Sequence, residues 1–177
     1  NVAEPTTVAA LLAEAGARGV ASLDAQSLLA ALTRRSRAQL LAFGEVPVDA
    51  LTAALFEAGL ERRAAGEPLA YITGIREFWS LPLVVSPEVL VPRPETELLV
   101  ERCLARLGDD PRVVAELGTG SLAIAAALAI ERPDWQIVAT DRSAAALAIA
   151  AINRQRLQLS NIELREGTWC EALGDNR

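Results

Sequence analysis

The stretch Val-Val-Ala-Glu-Leu-Gly-Thr-Gly-Ser at residues 113–121 joins a short apolar run to a glycine-rich turn. The apolar run predicts a buried strand, and the turn lies where such a strand would be followed by a helix. Gly118 and Gly120 let the backbone turn tightly and approach a ligand closely, which a Cβ would obstruct. The N-terminus of the following helix presents unpaired N–H groups to that ligand. The stretch therefore predicts a strand–turn–helix unit with a binding site at the turn.

An acidic residue follows the next apolar run. Asp141 comes directly after residues 137–140, which read as a second strand of the same sheet. A carboxylate at that place can accept hydrogen bonds from both hydroxyls of a ribose. The glycine turn, the second strand and the terminal acid together predict a site for an adenosine-containing ligand.

Two cofactor classes remain open on spacing alone. Residues 118–123 fit the pattern G-x-G-x-x-A, which is typical of an NAD site. Glu116, just before the turn, favours instead a ligand with an ammonium group, such as the methionine moiety of S-adenosyl-L-methionine. An acid there would be poorly placed beside a pyrophosphate.

From residue 93 onward, predicted helices and strands alternate. Short apolar strands that alternate with helices indicate βαβ units and a parallel sheet. The fold class predicted for residues 95–177 is therefore α/β, the first half of a Rossmann-like, doubly wound domain. The expected elements are a helix at 95–107, a strand at 112–117, a helix at 121–131, a strand at 136–140, a helix at 143–157 and a strand at 162–165.

Residues 1–72 predict a small helical domain. Four amphipathic segments follow one another, with apolar residues at i, i+3 and i+4 spacing. Thr6 or Thr7 is expected to cap the first helix and Ser22 the second. The side chains expected to point inward are Leu23, Leu28, Leu29 and Leu32 in the second helix and Leu51, Leu55 and Leu60 in the fourth.

Residues 73–94 predict a β-hairpin linker between the two domains. Aromatic and β-branched residues are frequent there, and four prolines prevent a helix from passing through. The turn is expected around residues 80–82. Arg93 and Glu97, at the end of this segment, are interpreted as a salt-bridged part of the linker and not as catalytic residues.

The composition excludes several chemistries. All 17 basic residues are arginines and there is no His, which excludes Ser-His-Asp catalysis, His-ligated metal and a Schiff-base lysine. Cys103 and Cys170 form no C-x-x-C, so neither a zinc site nor a disulfide framework is expected. The net charge of −6 argues against nucleic-acid or anionic-membrane binding. The sequence contains no run of about 18 apolar residues and opens with no signal peptide, so a cytoplasmic setting is expected.

Three blocks of sequence resemble the release-factor glutamine N5-methyltransferase (PrmC/HemK) family. Residues 62–74 are similar to its R-R-x-x-G-E-P-x-A-Y-I-x-G segment. Residues 78–79 and 91–97 are similar to its F-(W/Y) and (I/V)-P-R-P-(E/D)-T-E motifs, and residues 116–121 to its cofactor loop. P-R-P-E-T-E before a methyltransferase fold is the most specific of these.

The resemblance implies a class I S-adenosyl-L-methionine-dependent methyltransferase whose helical domain helps to hold class I peptide-chain release factors. The implied reaction methylates the side-chain amide of the Gln in the release factor's Gly-Gly-Gln motif, and a monomer is expected. Carried over by position, the cofactor-binding residues are Gly118, Thr119, Gly120, Ser121 and Leu122 in the loop, Asp141 at the ribose, and Trp169 near the adenine. Without the family, Trp169 could equally be a core aromatic at a strand end.

Two departures from the family pattern bear on function. Leu122 stands where the family has a third glycine, so it is expected either to crowd the methionine end of the cofactor or to change the local backbone. The N-P-P-Y that grips the acceptor amide is missing from the 177 residues. A fragment is therefore expected, and no catalytic residue is assigned. The alternatives are an NAD-binding oxidoreductase and a non-catalytic, methyltransferase-like binding module.

Overall fold

The computed structural model describes residues 6–174. The chain divides into two compact units, Asn1–Thr73 and Gly74–Arg177. Within the described residues, no helix is both long and apolar enough to cross a membrane. The domain boundaries drawn from the sequence, at 72 and 94, stay predictions.

The described part of the first unit, residues 6–73, is built from helices joined by short connections. Its helices are α1 Val8–Ala17, α2 Ser22–Thr33, α3 Arg37–Ala42, α4 Ala50–Ala64 and α5 Leu69–Thr73. The Thr7 side chain caps α1 by accepting a hydrogen bond from the Ala10 N–H, as expected. The cap predicted at Ser22 is wrong. The residue before it, Ala21, occupies the cap position, and the Ser22 hydroxyl instead accepts a hydrogen bond from Gln26 one turn later.

Several leucines expected in the core of the first unit are exposed. Leu23 and Leu55 are about half exposed and Leu51 is 70% exposed, whereas Leu28, Leu29 and Leu60 are buried. The buried face of α4 is centred on Phe56, Gly59 and Leu60. A residue one step away on a helix is rotated by about 100°, so Leu55 lies on the flank of that face.

Gly59 explains why the face lies there. A Cβ at this position would come within 2.6 Å of a methyl carbon of Leu28. The missing side chain lets α4 approach α2 closely, and this contact determines which side of α4 faces inward.

The second unit joins a hairpin to an α/β layer. Its elements are β1 Ile75–Phe78, β2 Leu81–Val84, α6 Glu97–Leu107, β3 Val113–Leu117, α7 Ala123–Glu131, β4 Gln136–Asp141, α8 Ala144–Arg156 and β5 Ile162–Glu166. β3, β4 and β5 form a parallel sheet in that order, with Val113 beside Gln136 and Ile137 beside Ile162. The predicted α/β class and the alternation of elements are confirmed.

Two helices of the second unit begin later than expected. Pro94 opens a single 3₁₀ turn, Pro94–Thr96, so the α-helix proper starts at Glu97. α7 starts at Ala123 because Leu122 has a left-handed backbone, with φ of 73°, which a continuous helix does not allow.

The hairpin packs into the core of the second unit. Phe78 and Leu83 are fully buried in one cluster with α7 and with Trp135. Five buried alanines of α7 let that helix lie close to its neighbours. The hairpin is thus built into the α/β layer, although its predicted role as a linker stays a prediction.

The hairpin turn has two residues with positive φ, Trp79 at 52° and Ser80 at 58°. Glu97 accepts a hydrogen bond from the Trp79 main-chain N–H at 2.8 Å, and Glu131 accepts one from the indole N–H at 2.8 Å. These carboxylates hold the turn from two helices. The interpretation of Arg93 and Glu97 as salt-bridged is wrong, because neither takes part in an ion pair within residues 6–174, and Glu97 holds the hairpin instead.

Replacing Ser80 with glycine is expected to stabilise the protein. Ser80 is exposed and left-handed, and a two-residue turn with positive φ at both positions favours glycine. Ser80→Gly should raise the free energy of unfolding by about 1 kcal/mol, measured by urea denaturation. The control is Ser160→Gly, at an exposed turn position without positive φ. A loss of stability in Ser80→Gly would contradict the turn geometry.

Candidate cofactor site

The glycine loop is held against the end of the neighbouring strand. The main-chain N–H groups of Gly118 and Thr119 both donate to the Thr140 carbonyl, each at 2.8 Å. Gly118 and Gly120 have φ of 77° and 54°, and a Cβ built on either one meets no atom within 4 Å. The bare backbone of the loop therefore faces open space, as the glycine pattern predicts for a site where a ligand lies close.

Asp141 connects the loop to α8. One carboxylate oxygen accepts a hydrogen bond from the Gly120 N–H at 2.9 Å, and the other accepts one from the Ser143 N–H at 3.0 Å. An ionised carboxylate offers about four acceptor positions. Two acceptor positions thus remain beyond these two hydrogen bonds, and ribose binding by Asp141 stays a prediction.

A pocket of about 220 Å³ opens beside Asp141. It is lined by Leu117, Gly118, Asp141, Arg142, Gly167, Thr168 and Trp169. Three of these residues were predicted separately from the sequence: Gly118, Asp141 and Trp169. The structure brings them together at the carboxyl ends of β3, β4 and β5. Trp169 is 74% exposed at this pocket, so its interpretation as a core aromatic is wrong.

A second, smaller pocket of about 130 Å³ is also lined by the glycine loop. Its lining includes Glu116 and residues 118–121 together with Leu90, Pro92, Arg93 and Thr96. Gly118 lines both pockets. Arg93, interpreted from the sequence as part of a linker, lines this pocket. The P-R-P-E-T-E motif, which contains Arg93, is the sequence signal that could have indicated this place beside the loop.

Glu116 holds the loop from inside. Its Oε2 accepts hydrogen bonds from the Thr119 hydroxyl at 2.6 Å and from the Ala125 N–H at 3.1 Å. Part of the residue reaches the surface, but protein encloses its carboxyl group. This burial raises the pKa of the carboxyl to about 7, although the two hydrogen bonds oppose the shift, and the nearby Asp141 raises it further. Because both bonds end on Oε2, Oε1 keeps its capacity to accept.

Comparison with known proteins identifies the relatives of this chain. Residues 6–74 match the PrmC N-terminal domain. Release factor glutamine methyltransferase of Coxiella burnetii is 49% identical over 152 residues, and that of Escherichia coli strain K12 is 50% identical over 150 residues. The chain is homologous to the release factor glutamine methyltransferases.

The homology covers most of this chain but only part of those enzymes. The aligned residues make up 85% of this chain, and 55% and 54% of the two relatives. The chain thus spans about half the length of the curated relatives it matches. A solved human methyltransferase 10 domain containing protein superposes with a TM-score of 0.47 at 21% identity, over 69% of this chain and 57% of that one. This TM-score is too low to add to what the parallel sheet itself shows about the fold.

Leu122 is the main departure from the loop of this family, and the structure accommodates it. Its side chain is 0% exposed and lies in the core of the second unit, and Leu122 lines neither pocket. Its backbone is left-handed, as a glycine would allow. The two outcomes expected for Leu122 stay predictions.

The raised pKa of Glu116 predicts a pH-dependent stability. A carboxyl whose pKa is about 7 in the folded protein, against an ordinary value of 4.5, keeps its proton in the folded state up to about pH 7. Its contribution to the free energy of unfolding is therefore complete below pH 4.5 and falls as the pH rises to 7. Glu116→Gln removes this pH-dependent contribution. The free energy of unfolding of the variant, relative to that of wild type, should therefore increase between pH 5 and 8 by up to about 3 kcal/mol.

Urea denaturation at pH 5, 6, 7 and 8 measures the effect. Glu101→Gln, on the exposed surface of α6, controls for the removal of one negative charge. Stability profiles that stay parallel for wild type and Glu116→Gln would show that the carboxyl is ionised in the folded protein throughout this range.

Proposed function

We propose that the second unit binds S-adenosyl-L-methionine across the glycine loop, and that the whole protein methylates class I peptide-chain release factors. The observation that carries this proposal is the pair of pockets that share Gly118, one containing Asp141 and the other Glu116. The homologues are named release factor glutamine methyltransferases, and those names support methylation of a glutamine in a release factor. The acceptor proposed here is the side-chain amide of the Gln in the Gly-Gly-Gln motif.

The residues of the larger pocket fit an adenosine group. Asp141 has two acceptor positions left for the ribose hydroxyls, and the exposed ring of Trp169 offers an apolar surface for the adenine. Gly118 and Gly120 leave free space where any other residue would place a Cβ. Thr119, Ser121 and Leu122 contribute through the loop backbone. The Thr119 hydroxyl bonded to Glu116, the Ser121 carbonyl bonded to Asn153 and the buried Leu122 side chain maintain its shape.

The residues of the smaller pocket fit the amino-acid end of the same cofactor. Glu116 brings a carboxylate to that pocket, and its Oε1 can accept a hydrogen bond from an ammonium group. A nearby positive charge favours ionisation of this carboxyl and so opposes the effect of burial. When bound, the cofactor supplies an electrophilic methyl group on a sulfonium, and this chain positions it.

An amide nitrogen is a poor nucleophile because its lone pair is delocalised into the carbonyl group. Methylation therefore depends on holding the amide aligned, with acceptors on its N–H groups, and the product nitrogen can lose its proton after transfer. The reaction needs no general-base His or Lys, which agrees with a chain that contains neither. We assign no catalytic residue within these 177 residues.

An NAD-dependent oxidoreductase is the competing enzyme. It shares the G-x-G-x-x-A spacing of residues 118–123, but it would have to place a pyrophosphate near the Glu116 carboxylate. A pyrophosphate would repel the ionised form of this buried carboxyl and so hold it neutral, whereas an ammonium group would stabilise the ionised form. The position of Glu116 at the smaller pocket therefore favours the cationic cofactor.

The remaining proposals concern the setting. Release factors act in translation, so we propose that the protein works in the cytoplasm and takes a protein substrate, without binding nucleic acid or membrane directly. We also propose that it is a monomer. The helical first unit, which matches the PrmC N-terminal domain, is the part proposed to help hold the release factor.

Calorimetric titration tests the cofactor. S-adenosylhomocysteine should bind the chain saturably, and NADH should not. Asp141→Ala should lower the affinity for S-adenosylhomocysteine by about tenfold or more. The substitution removes acceptors for the ribose and the partner of the Gly120 N–H. Asp134→Ala, at an exposed position between α7 and β4, should bind like wild type. Saturable NADH binding without binding of S-adenosylhomocysteine would overturn the proposal.

Methyl transfer tests the activity. The complete gene product is incubated with a class I release factor and S-adenosyl-L-methionine labelled on its methyl group. We expect one label on the Gln of the Gly-Gly-Gln motif, located by mass spectrometry, and none on a release factor with Gln→Ala at that position. An intact complex without label would favour a non-catalytic binding module.

A further inference from the structure

Asn153, on α8, is the most deeply buried polar residue in the described part of the chain, with 0% exposure. Its side-chain oxygen accepts a hydrogen bond from the Val84 N–H at 2.7 Å. Its side-chain nitrogen donates to the Val84 carbonyl and to the Ser121 carbonyl, each at 2.9 Å. One amide thus joins three segments of the second unit: the hairpin, α8 and the glycine loop.

The two bonds to Val84 define the orientation of the amide. The Val84 N–H meets the side-chain oxygen and the Val84 carbonyl meets the side-chain nitrogen, whereas a flipped amide would place like groups together. Asn153 therefore pairs with Val84 as the peptide group of a neighbouring strand would. This leaves the second N–H of the amide for Ser121.

The Ser121 carbonyl needs that partner. Ser121 is buried, with 3% exposure, and a buried carbonyl without a hydrogen bond is costly. α7 starts only at Ala123, so Ser121 lies outside the regular bonding of the helix. The hydrogen bond from Asn153 satisfies this carbonyl and holds it in a single position.

The residue after Ser121 makes this hydrogen bond important. Leu122 has a φ of 73°, a region that residues with a Cβ rarely adopt and that favours glycine. Such a conformation persists only where the surrounding structure imposes it. Two features do so here: the Leu122 side chain is buried in the core, and Asn153 holds the peptide that precedes it.

We propose that Asn153 is a positioning residue for the cofactor loop. It holds Ser121 and Leu122 in the left-handed turn that shapes the smaller pocket, and it connects that turn to β2. This inference rests on the proposed function, because the loop is taken to bind S-adenosyl-L-methionine. It adds that affinity for the cofactor depends on a buried amide that contacts neither pocket.

The chain offers a matched control in Asn161. Its side-chain nitrogen also donates to main-chain carbonyls, those of Ala129 at 3.3 Å and Trp135 at 3.1 Å. These carbonyls lie at the end of α7 and before β4, and Asn161 itself precedes β5. These residues lie at the amino ends of the strands, whereas the loop lies at the carboxyl ends. Asn161→Ala removes the same kind of side chain without touching the site.

The experiment compares Asn153→Ala, Asn153→Asp and Asn161→Ala at a temperature where circular dichroism shows all of them to be folded. Calorimetry measures the dissociation constant for S-adenosylhomocysteine, thermal melting gives the loss of stability, and hydrogen exchange reports on the amides of residues 120–123. Asn153→Asp keeps the acceptor for Val84 but directs a carboxylate oxygen at the Ser121 carbonyl.

We expect both Asn153 variants to bind S-adenosylhomocysteine with an affinity lower by about tenfold or more. We also expect faster hydrogen exchange at the amides of residues 120–123. Asn161→Ala should change the dissociation constant less than twofold at a comparable loss of stability. Equal dissociation constants in the Asn153 and Asn161 variants, with unchanged exchange in the loop, would show that Asn153 serves only the core and would overturn the inference.

The exchange measurement also separates this inference from the proposed function. If wild type fails to bind S-adenosylhomocysteine, the proposed function fails, while faster exchange at residues 120–123 in the Asn153 variants would still show that the amide holds the loop. If Asn153→Ala does not fold, Asn153→Asp in its place gives both readouts. Slow exchange in every folded Asn153 variant would overturn the inference without affecting the proposed cofactor.

Discussion

The double hydrogen bond to the Thr140 carbonyl is the interaction on which the rest of the site depends. In a tight glycine turn several main-chain N–H groups have no partner within the turn itself, and those that are buried need acceptors from elsewhere. Gly118 and Thr119 find one at the end of β4, and Gly120 finds another in the Asp141 carboxylate. Because all three bonds end on adjacent residues of the same strand, the loop keeps its shape before any ligand arrives.

Two carboxylates contribute to this arrangement, and their electrostatics suit a cationic ligand. Glu116 and Asp141 both bond the loop, and the negative charge of Asp141 raises the pKa of the Glu116 carboxyl. Burial raises the pKa of the Glu116 carboxyl, so its ionised form is unfavourable unless a positive group lies near it. The loop thus combines a rigid backbone with a local charge that a cationic cofactor would neutralise.

Local pattern and tertiary packing agree in the second unit more closely than in the first. The α/β alternation could be predicted because short buried strands and amphipathic helices have different periods. In the helical unit, by contrast, Leu51 and Leu55 fit an apolar face that the fold does not use. Close packing of α4 on α2 at Gly59 selected a different face, and spacing along one helix carries no information about its neighbour.

The sequence by itself determined the parallel sheet, the glycine turn and the acid after β4, because each depends on local conformational preference or on period. It also contained Trp169, but not the exposed position of its ring. Only the tertiary structure decided that Arg93 and Thr96 reach the loop, that Glu97 holds the hairpin turn, and that Asn153 supports Leu122. These contacts join residues far apart in the chain, and their geometry depends on how whole elements pack, which residue types alone do not specify.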